Sequence, residues 1–173
     1  MKLETKRLIL RTPQVSDAAA YTAIHNAEFA LRYNAMQPTT VERMEQLLQN
    51  PAYAKDAVFL EEKASAKVIG AIFLEEDSLR YGVASAGVSY MMAESHCRQG
   101  FMKEAMQALL TRLFETEKLE CISARAFAPN TASRALLKSL GFQENGILPR
   151  CVKGYQDEIF DDVLHTLFPE NLK

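Results

Sequence analysis

Histidine and cysteine are scarce in this chain, and the few that occur are poorly placed for metal binding. The 173 residues include three histidines and three cysteines. The histidines show no paired helical spacing, and Cys97, Cys121 and Cys151 are odd in number with no metal-like spacing. We therefore expect no metal and no zinc chemistry. The cysteines are expected to be free thiols in a reducing compartment.

Long apolar runs and a strong charge of either sign are also missing. No segment is apolar over the length needed to cross a bilayer. The N-terminal stretch MKLETKRLILRTP lacks the apolar core of a signal peptide. Twenty basic and 22 acidic side chains leave a net charge of -2, which gives no footprint for nucleic acid. These absences predict a cytoplasmic protein with neither a membrane nor a nucleic-acid partner.

What is present suits one globular domain. Hydrophobic residues make up 48% of the chain and charged residues 24%, and this length allows a sizeable core. No repeat, low-complexity segment or linker interrupts the sequence. We therefore expect a single domain over residues 1–173.

Helical and strand patterns alternate in the order β-α-α-β-β-β-α-β-α-β-β, which predicts an α/β domain with a mixed sheet. One helix is expected after a Ser16 N-cap, and a second after a Thr39/Glu42 capping box, ending before Pro51. Two further helices are expected, from about Gly100 to Lys118 and over Thr131–Leu140. The strand patterns cover residues 2–11, 57–62, 68–75, 83–93, 121–127, 142–150 and 158–167.

A glycine turn leads into an amphipathic helix within Cys97–Glu115. Apolar residues recur there at three- and four-residue steps from Phe101 onwards. Arg98 and Lys103 flank the first turn, although the positive end of a helix favours acidic neighbours. Two cations at this end indicate a bound anion, with a phosphate or pyrophosphate as the usual candidate. The alternative is that both side chains are merely solvated, and this stretch alone leaves both interpretations open.

Four motifs resemble the GCN5-related N-acetyltransferase (GNAT) family, and within it the RimJ/RimL-type subgroup that acetylates ribosomal-protein N-termini. They are TKRLILR followed by Ser-Asp, RQGFMKEAMQALL, APNTASRALLKSLGF and GYQDEIFDDVLHTL. The second and third are the specific ones, and their spacing fits the family. The resemblance implies a mostly antiparallel central sheet with helices on both faces. It also implies acetyl-CoA as the co-substrate.

The resemblance implies a set of coenzyme contacts, in which a fourth strand gives its backbone to the pantetheine and a glycine loop holds the pyrophosphate. The residues are Tyr90, Met91, Met92, Cys97, Arg98, Gln99, Gly100, Phe101, Met102, Lys103, Asn130, Ser133 and Lys138. The loop departs from the family pattern at Cys97, where Arg or Gln is usual, and at Met102, where a small residue is usual. Because such loops bind mainly through backbone N–H groups, we expect binding to survive, with Arg98 supplying part of the missing charge.

The same resemblance implies the catalytic roles. Asn130 is expected to cap its helix and to hydrogen-bond the pantetheine or the amine, while Ser133 is expected near the sulfur, where it protonates the leaving thiolate. Glu75 is our choice of general base, with Glu76, Glu94 and Glu28 as alternatives. Tyr155 and Tyr90 are alternative acids. Cys97 is not expected to be acylated, because direct attack is what the family implies.

These observations predict an N-acetyltransferase that acts on a primary amine, either a protein N-terminus or a small-molecule amine. Asn26–Tyr53 is expected to form much of the acceptor wall, and a homodimer is allowed. A non-catalytic acyl-CoA-binding regulatory module on the same fold is the alternative function. A nucleotide-binding domain such as a methyltransferase is disfavoured, because Thr12-Pro13-Gln14 stands where its glycine-rich turn belongs.

Overall fold

A computed structural model describes residues 2–173, and within them eight strands form one sheet. The strands are β1 Lys2–Glu4, β2 Leu8–Arg11, β3 Ala57–Glu62, β4 Lys67–Glu75, β5 Ser85–Met92, β6 Cys121–Phe127, β7 Gln143–Lys153 and β8 Ile159–Leu167. Their order across the sheet is β1-β2-β3-β4-β5-β6-β8-β7. Neighbouring strands are antiparallel except β5 and β6, which are parallel. The predicted mixed, mostly antiparallel sheet is confirmed.

Six α-helices in the same residues cover both faces of the sheet. They are α1 Ala18–His25, α2 Glu28–Leu31, α3 Val41–Gln49, α4 Pro51–Asp56, α5 Phe101–Glu115 and α6 Thr131–Leu140. One core joins α5 and α6 to the sheet and includes Met106 and Leu109, both fully buried. The other core joins α1 and α3 to the opposite face around Tyr21 and Phe59. Helices on both faces, as predicted, are confirmed.

The single strand predicted over residues 2–11 is wrong, because the chain reverses within it. β1 and β2 pair antiparallel, with Lys2 opposite Arg11. The Thr5 hydroxyl accepts a hydrogen bond from the Leu8 N–H at 3.0 Å, and the Thr5 N–H donates to the Leu8 carbonyl at 2.9 Å. The turn contains no Gly, Pro or Asn, so its side-chain chemistry left no signal of the usual kind.

Both predicted helix starts are displaced by a residue or more. Ser16 is not an N-cap, because it lies inside a 3₁₀ turn over Val15–Asp17, where the Asp17 carboxylate accepts from the Gln14 N–H at 2.7 Å. The cap of α3 is Thr40, which accepts from the Arg43 N–H at 3.2 Å.

Thr39 has a different role, and Pro51 does not end the helical region. Both backbone groups of Thr39 are hydrogen-bonded by the amide of Asn26, at 2.7 and 2.9 Å. Pro51 begins α4, with the Asn50 side chain capping it through the Ala52 N–H at 3.0 Å. Like α4, the short helix α2 was not among the predicted helices, whereas the remaining helices and strands agree with their predicted bounds to within a few residues.

Candidate active site

The parallel pair β5–β6 opens part-way along its length. Pairing runs from Ser85↔Cys121 to Val88↔Ala124, although β5 continues to Met92 and β6 to Phe127. β4 pairs with β5 along its other edge as far as Met92. The backbone of residues 89–92 therefore borders an opening, which we call the fork. The predicted pantetheine contacts Tyr90, Met91 and Met92 lie along it.

Helix α6 starts beside the fork and places Ser133 there. The Asn130 side chain accepts from the Ser133 N–H at 3.1 Å, so the predicted N-cap role of Asn130 is observed. The Ser133 hydroxyl lies 2.7 Å from the Tyr90 hydroxyl. Burial raises the pKa of Tyr90 to about 12, although its hydrogen bond with Ser133 acts in the opposite direction. The phenol is therefore protonated at neutral pH, and the two hydroxyls form a pair that can pass a proton.

The loop before α5 has the shape of an anion-binding turn. Arg98 has φ 59° and Gly100 has φ 79°, so two of its residues are left-handed. The hydrogen bonding of the helix begins with the Glu104 N–H, which donates to the Gly100 carbonyl at 3.0 Å. The N–H groups of residues 101–103 precede that bond. Left-handed turns at a helix start gather N–H groups around a concavity that suits an anion.

The side chains of this loop divide into buried and exposed sets. Phe101 and Met102 are buried in the core, so they offer only backbone to a ligand. The Cys97 sulfur lies 3.5 Å from the Ala93 carbonyl, and burial raises the pKa of its thiol, helped by Glu94 and opposed by Arg98. Cys97 is therefore a protonated thiol. Arg98, Gln99 and Gly100 are exposed, and Lys103 is half-buried.

Three residues at this loop were missed by sequence reasoning. The Arg7 guanidinium donates to the Gln99 carbonyl at 2.9 Å, and both Arg7 and Thr5 bind the Glu104 carboxylate. Arg7 belongs to the TKRLILR motif, which we assigned only to a strand. Since 92 residues separate Arg7 from Gln99, no local signal could have joined them.

The loop fits a diphosphate. A Cβ atom added at Gly100 would meet only the Arg7 guanidinium, at 3.5 Å, so the backbone there is open to close approach. Backbone donors, two left-handed residues and a neighbouring cation are what such a group needs. Lys138 stands apart from the loop: it is exposed on α6 and lines a separate surface cavity with Arg134 and Lys173.

A cavity of about 440 Å³ lies where the pairing of β5 and β6 ends, and Val88 and Ala124 both line it. Glu75 also lines it and accepts from the Ser89 hydroxyl at 2.7 Å. Neighbouring strand residues point to opposite faces. Ser89 therefore shares the face of Met91, which packs with α1 and α3, whereas Tyr90 packs with α5 and α6.

Of the predicted bases, Glu75 and Glu76 line this cavity, whereas Glu28 and Glu94 do not. Tyr155, an alternative acid, also lies outside the cavity lining. Sequence reasoning missed Asp77, which is buried at the cavity wall and accepts from the Ser123 hydroxyl at 2.6 Å.

Besides these carboxylates, two arginines, Arg80 and Arg125, line the cavity. The Arg80 guanidinium donates to the Thr166 hydroxyl at 3.0 Å, and Arg125 donates to the Asp162 carboxylate at 2.7 Å. The cavity lining thus carries both acidic and basic side chains.

Over residues 2–173, no group of three or more His, Cys, Asp or Glu side chains is arranged to hold a metal ion. Over the same part of the chain, no helix is both long enough and apolar enough to cross a membrane.

A sequence model of the acetyltransferase (GNAT) domain matches residues 7–143, which is most of the chain. The chain belongs to the GNAT acetyltransferases. It is also 30% identical over 152 residues to the uncharacterized N-acetyltransferase YoaA of Bacillus subtilis (strain 168), covering 84% of this chain and 85% of YoaA. The predicted family and the predicted activity, N-acetyl transfer with acetyl-CoA, are confirmed.

Solved structures show the same fold in this acetyltransferase and in ribosomal-protein acetyltransferases. Ribosomal-protein-S5-alanine acetyltransferase from Vibrio fischeri superposes with a TM-score of 0.85, at 18% identity over 100% of this chain and 99% of that one. Mycobacterium smegmatis RimJ, solved in complex with CoA-disulfide, superposes with a TM-score of 0.77 at 22% identity, and the match covers 94% of this chain and 82% of RimJ.

Proposed function

We propose that this acetyltransferase moves the acetyl group of acetyl-CoA directly onto a primary amine that enters from the face of α1 and α3. The fork carries this proposal. The fork is an opening in the sheet. The loop around Gly100 lies on one side of the sheet, and the cavity with its carboxylates lies on the other. A thioester bound along the backbone of residues 89–92 can therefore be reached by an amine that enters through the cavity.

The proposed coenzyme site uses mainly backbone. Residues 89–92 supply donors and acceptors to the pantetheine, and the loop around Gly100 supplies N–H groups to the diphosphate. Because backbone groups on a strand and at a helix start are held rigidly, they orient the thioester without reorganisation.

The proposed proton transfers involve Glu75 on one face of the sheet and the Ser133–Tyr90 pair on the other. As the amine attacks, a C–N bond forms and the C–S bond breaks. Glu75 takes the proton that the amine loses, directly or through a water. Ser133 gives its proton to the leaving sulfur as the proton of the Tyr90 hydroxyl, 2.7 Å away, moves to Ser133. Glu75 then releases the amine proton to solvent and Tyr90 regains one from solvent, so the pair is restored. The high pKa of Tyr90 keeps the phenol protonated before the step at neutral pH.

The acceptor is a protein N-terminus or a small-molecule amine. The acceptor wall over Asn26–Tyr53 stays a prediction: Met36, Val41 and Tyr53 pack against the core on the α1 and α3 side, but the cavity itself is lined by later parts of the chain. One protein of the same fold, RimL, is described as a ribosomal L7/L12 alpha-N-protein acetyltransferase, which favours a protein N-terminal amine. A single domain over residues 1–173, action in the cytoplasm and assembly as a homodimer stay predictions.

The test combines binding with turnover. Isothermal titration with acetyl-CoA measures binding, and release of free thiol measures transfer to a panel of amines that includes alanine- and serine-starting peptides. We expect binding and thiol release with at least one primary amine. Binding without release for any amine would contradict the proposal and favour a non-catalytic acyl-CoA-binding module.

A further inference from the structure

The turn between β1 and β2 is bound to the first turn of α5 through Glu104. The Thr5 hydroxyl donates to the Glu104 carboxylate at 2.6 Å, and the Arg7 N–H donates to the same oxygen at 2.8 Å. The Arg7 side chain donates to the other oxygen at 2.7 Å. Burial alone would raise the pKa of Glu104, but these hydrogen bonds and the charge of Arg7 outweigh it and lower that pKa. Glu104 is therefore an ionised anchor at neutral pH.

Arg7 extends from this anchor to the loop. Its guanidinium lies over the Phe101 ring, 4.1 Å from the centroid, and donates to the Gln99 carbonyl at 2.9 Å. A carboxylate, an aromatic face and a carbonyl thus hold the guanidinium from three sides. Such a planar cation has little freedom left, and so the Gln99 carbonyl is fixed as well.

Fixing that carbonyl fixes an N–H group. In a trans peptide the C=O and the N–H point in opposite directions. Because the Gln99 carbonyl points at Arg7, the Gly100 N–H of the same peptide points away from Arg7. Glycine tolerates both signs of φ, so without a restraint this peptide could rotate at low cost.

We propose that Arg7 is a positioning residue for the coenzyme: it holds the Gln99–Gly100 peptide so that the Gly100 N–H faces the diphosphate. The inference rests on the proposed placement of the diphosphate at Gly100. Glu104 already neutralises Arg7, so the contribution is orientation of the loop more than charge. The effect of Arg7 should therefore be seen with ligands that carry the diphosphate and not with pantetheine, which lacks it.

The experiment compares two ligands on the full chain. Dissociation constants for CoA are measured by isothermal titration and those for pantetheine by NMR titration. Arg7→Met removes the guanidinium but keeps an apolar stem over Phe101. We expect Arg7→Met to weaken CoA binding about tenfold or more, and to change pantetheine binding by less than about twofold. Arg7→Lys, which can keep only one of the anchors, should fall in between and serves if Arg7→Met does not fold.

Arg11→Met is the matched control. Arg11 also binds two carboxylates, Asp17 and Glu61, each at 2.7 Å, but it makes no contact with the loop. The Arg11→Met variant should be less stable than the wild type but should bind CoA with the same affinity. Unchanged CoA affinity in the Arg7 variants, equal weakening for both ligands, or equal weakening in Arg11→Met would each overturn the inference. If the wild type binds no CoA, the proposed diphosphate site at Gly100 is wrong, and the inference falls with it. None of these measurements depends on acetyl transfer.

Discussion

At the scale of single residues, the structure adds most to the interpretation of Ser133. From the sequence alone, a serine in the first turn of a helix could have been merely exposed to solvent. In the fold its N–H is capped by Asn130 and its hydroxyl contacts Tyr90, a residue 43 positions earlier. The cap could be predicted, because Asn is a favoured N-cap residue. The partnership with Tyr90 could not, since it depends on how the fork opens.

Replacing Ser133 by alanine should lower kcat for acetyl transfer about tenfold to a hundredfold, because the leaving sulfur loses its nearest proton donor. The dissociation constant for acetyl-CoA should change little, since the backbone contacts remain. Steady-state kinetics and titration check both values.

Ser139→Ala is the control for this change. Ser139 lies on the same helix, and its hydroxyl donates to the Leu136 carbonyl at 2.8 Å, away from the fork. It should keep wild-type kcat. Equal activity in the two variants would remove Ser133 from the proton path.

Tyr90 predicts a pH dependence of stability. Its pKa is about 12 in the fold and 10.0 in the reference state, so the unfolded chain loses the phenolic proton first. Well below pH 10 neither state ionises at Tyr90, and its contribution is fully present. As the pH rises from about 10 towards 12 that contribution is lost. Urea unfolding at pH 8 and pH 10.5 should show a smaller loss in Tyr90→Phe than in the wild type.

Tyr21 and Tyr53, whose pKa values burial also raises, stay in both proteins, so they cancel in the comparison. An identical pH-dependent loss in the wild type and in Tyr90→Phe would contradict this account.

At the scale of helices and strands, periodicity found nearly every element but misplaced several ends. The amphipathic faces of α5 and α6 follow from apolar spacing, and Gly141 ends α6 as its C-cap in the left-handed conformation. The reversal at Thr5 was missed because side-chain hydrogen bonds make it, and α4 was missed because Pro51 can either end or begin a helix.

Gly141 is the C-cap of α6, and we expect its replacement to cause a large loss of folding stability. It has φ 101°, and a Cβ there would collide with the Asn171 backbone. Gly141→Ala should lower the free energy of unfolding by about 2–4 kcal/mol, from left-handed strain together with overpacking. Urea unfolding measures this.

Gly146→Ala is the matched control on β7, because a Cβ there meets nothing within 4 Å. It should change stability by no more than about 0.5 kcal/mol. If Gly141→Ala were as stable as Gly146→Ala, the end of α6 would not be packed as described.

At the scale of the whole molecule, the sheet separates two tasks. Ser133 and the loop around Gly100 lie with the core of α5 and α6, while Glu75 and the cavity lie on the opposite sheet face, the one that also carries α1 and α3. The sequence carried the family motifs of the first side but no motif for the second. Acceptor walls are assembled from several loops and strand ends, whose meeting depends on tertiary structure. This is why Asp77, Arg80 and Arg125 could not be predicted.

This separation predicts that Glu75 can be changed without affecting the coenzyme. Glu75→Gln keeps an acceptor for the Ser89 hydroxyl but removes the base, so kcat should fall about a hundredfold while the acetyl-CoA dissociation constant stays the same. Glu76→Gln is the neighbouring control, which lines the same cavity and should keep the wild-type kcat. Steady-state kinetics and titration with acetyl-CoA check both variants. Loss of activity in Glu76→Gln but not in Glu75→Gln would transfer the role of base to Glu76, and wild-type kcat in both would show that neither carboxylate takes the amine proton.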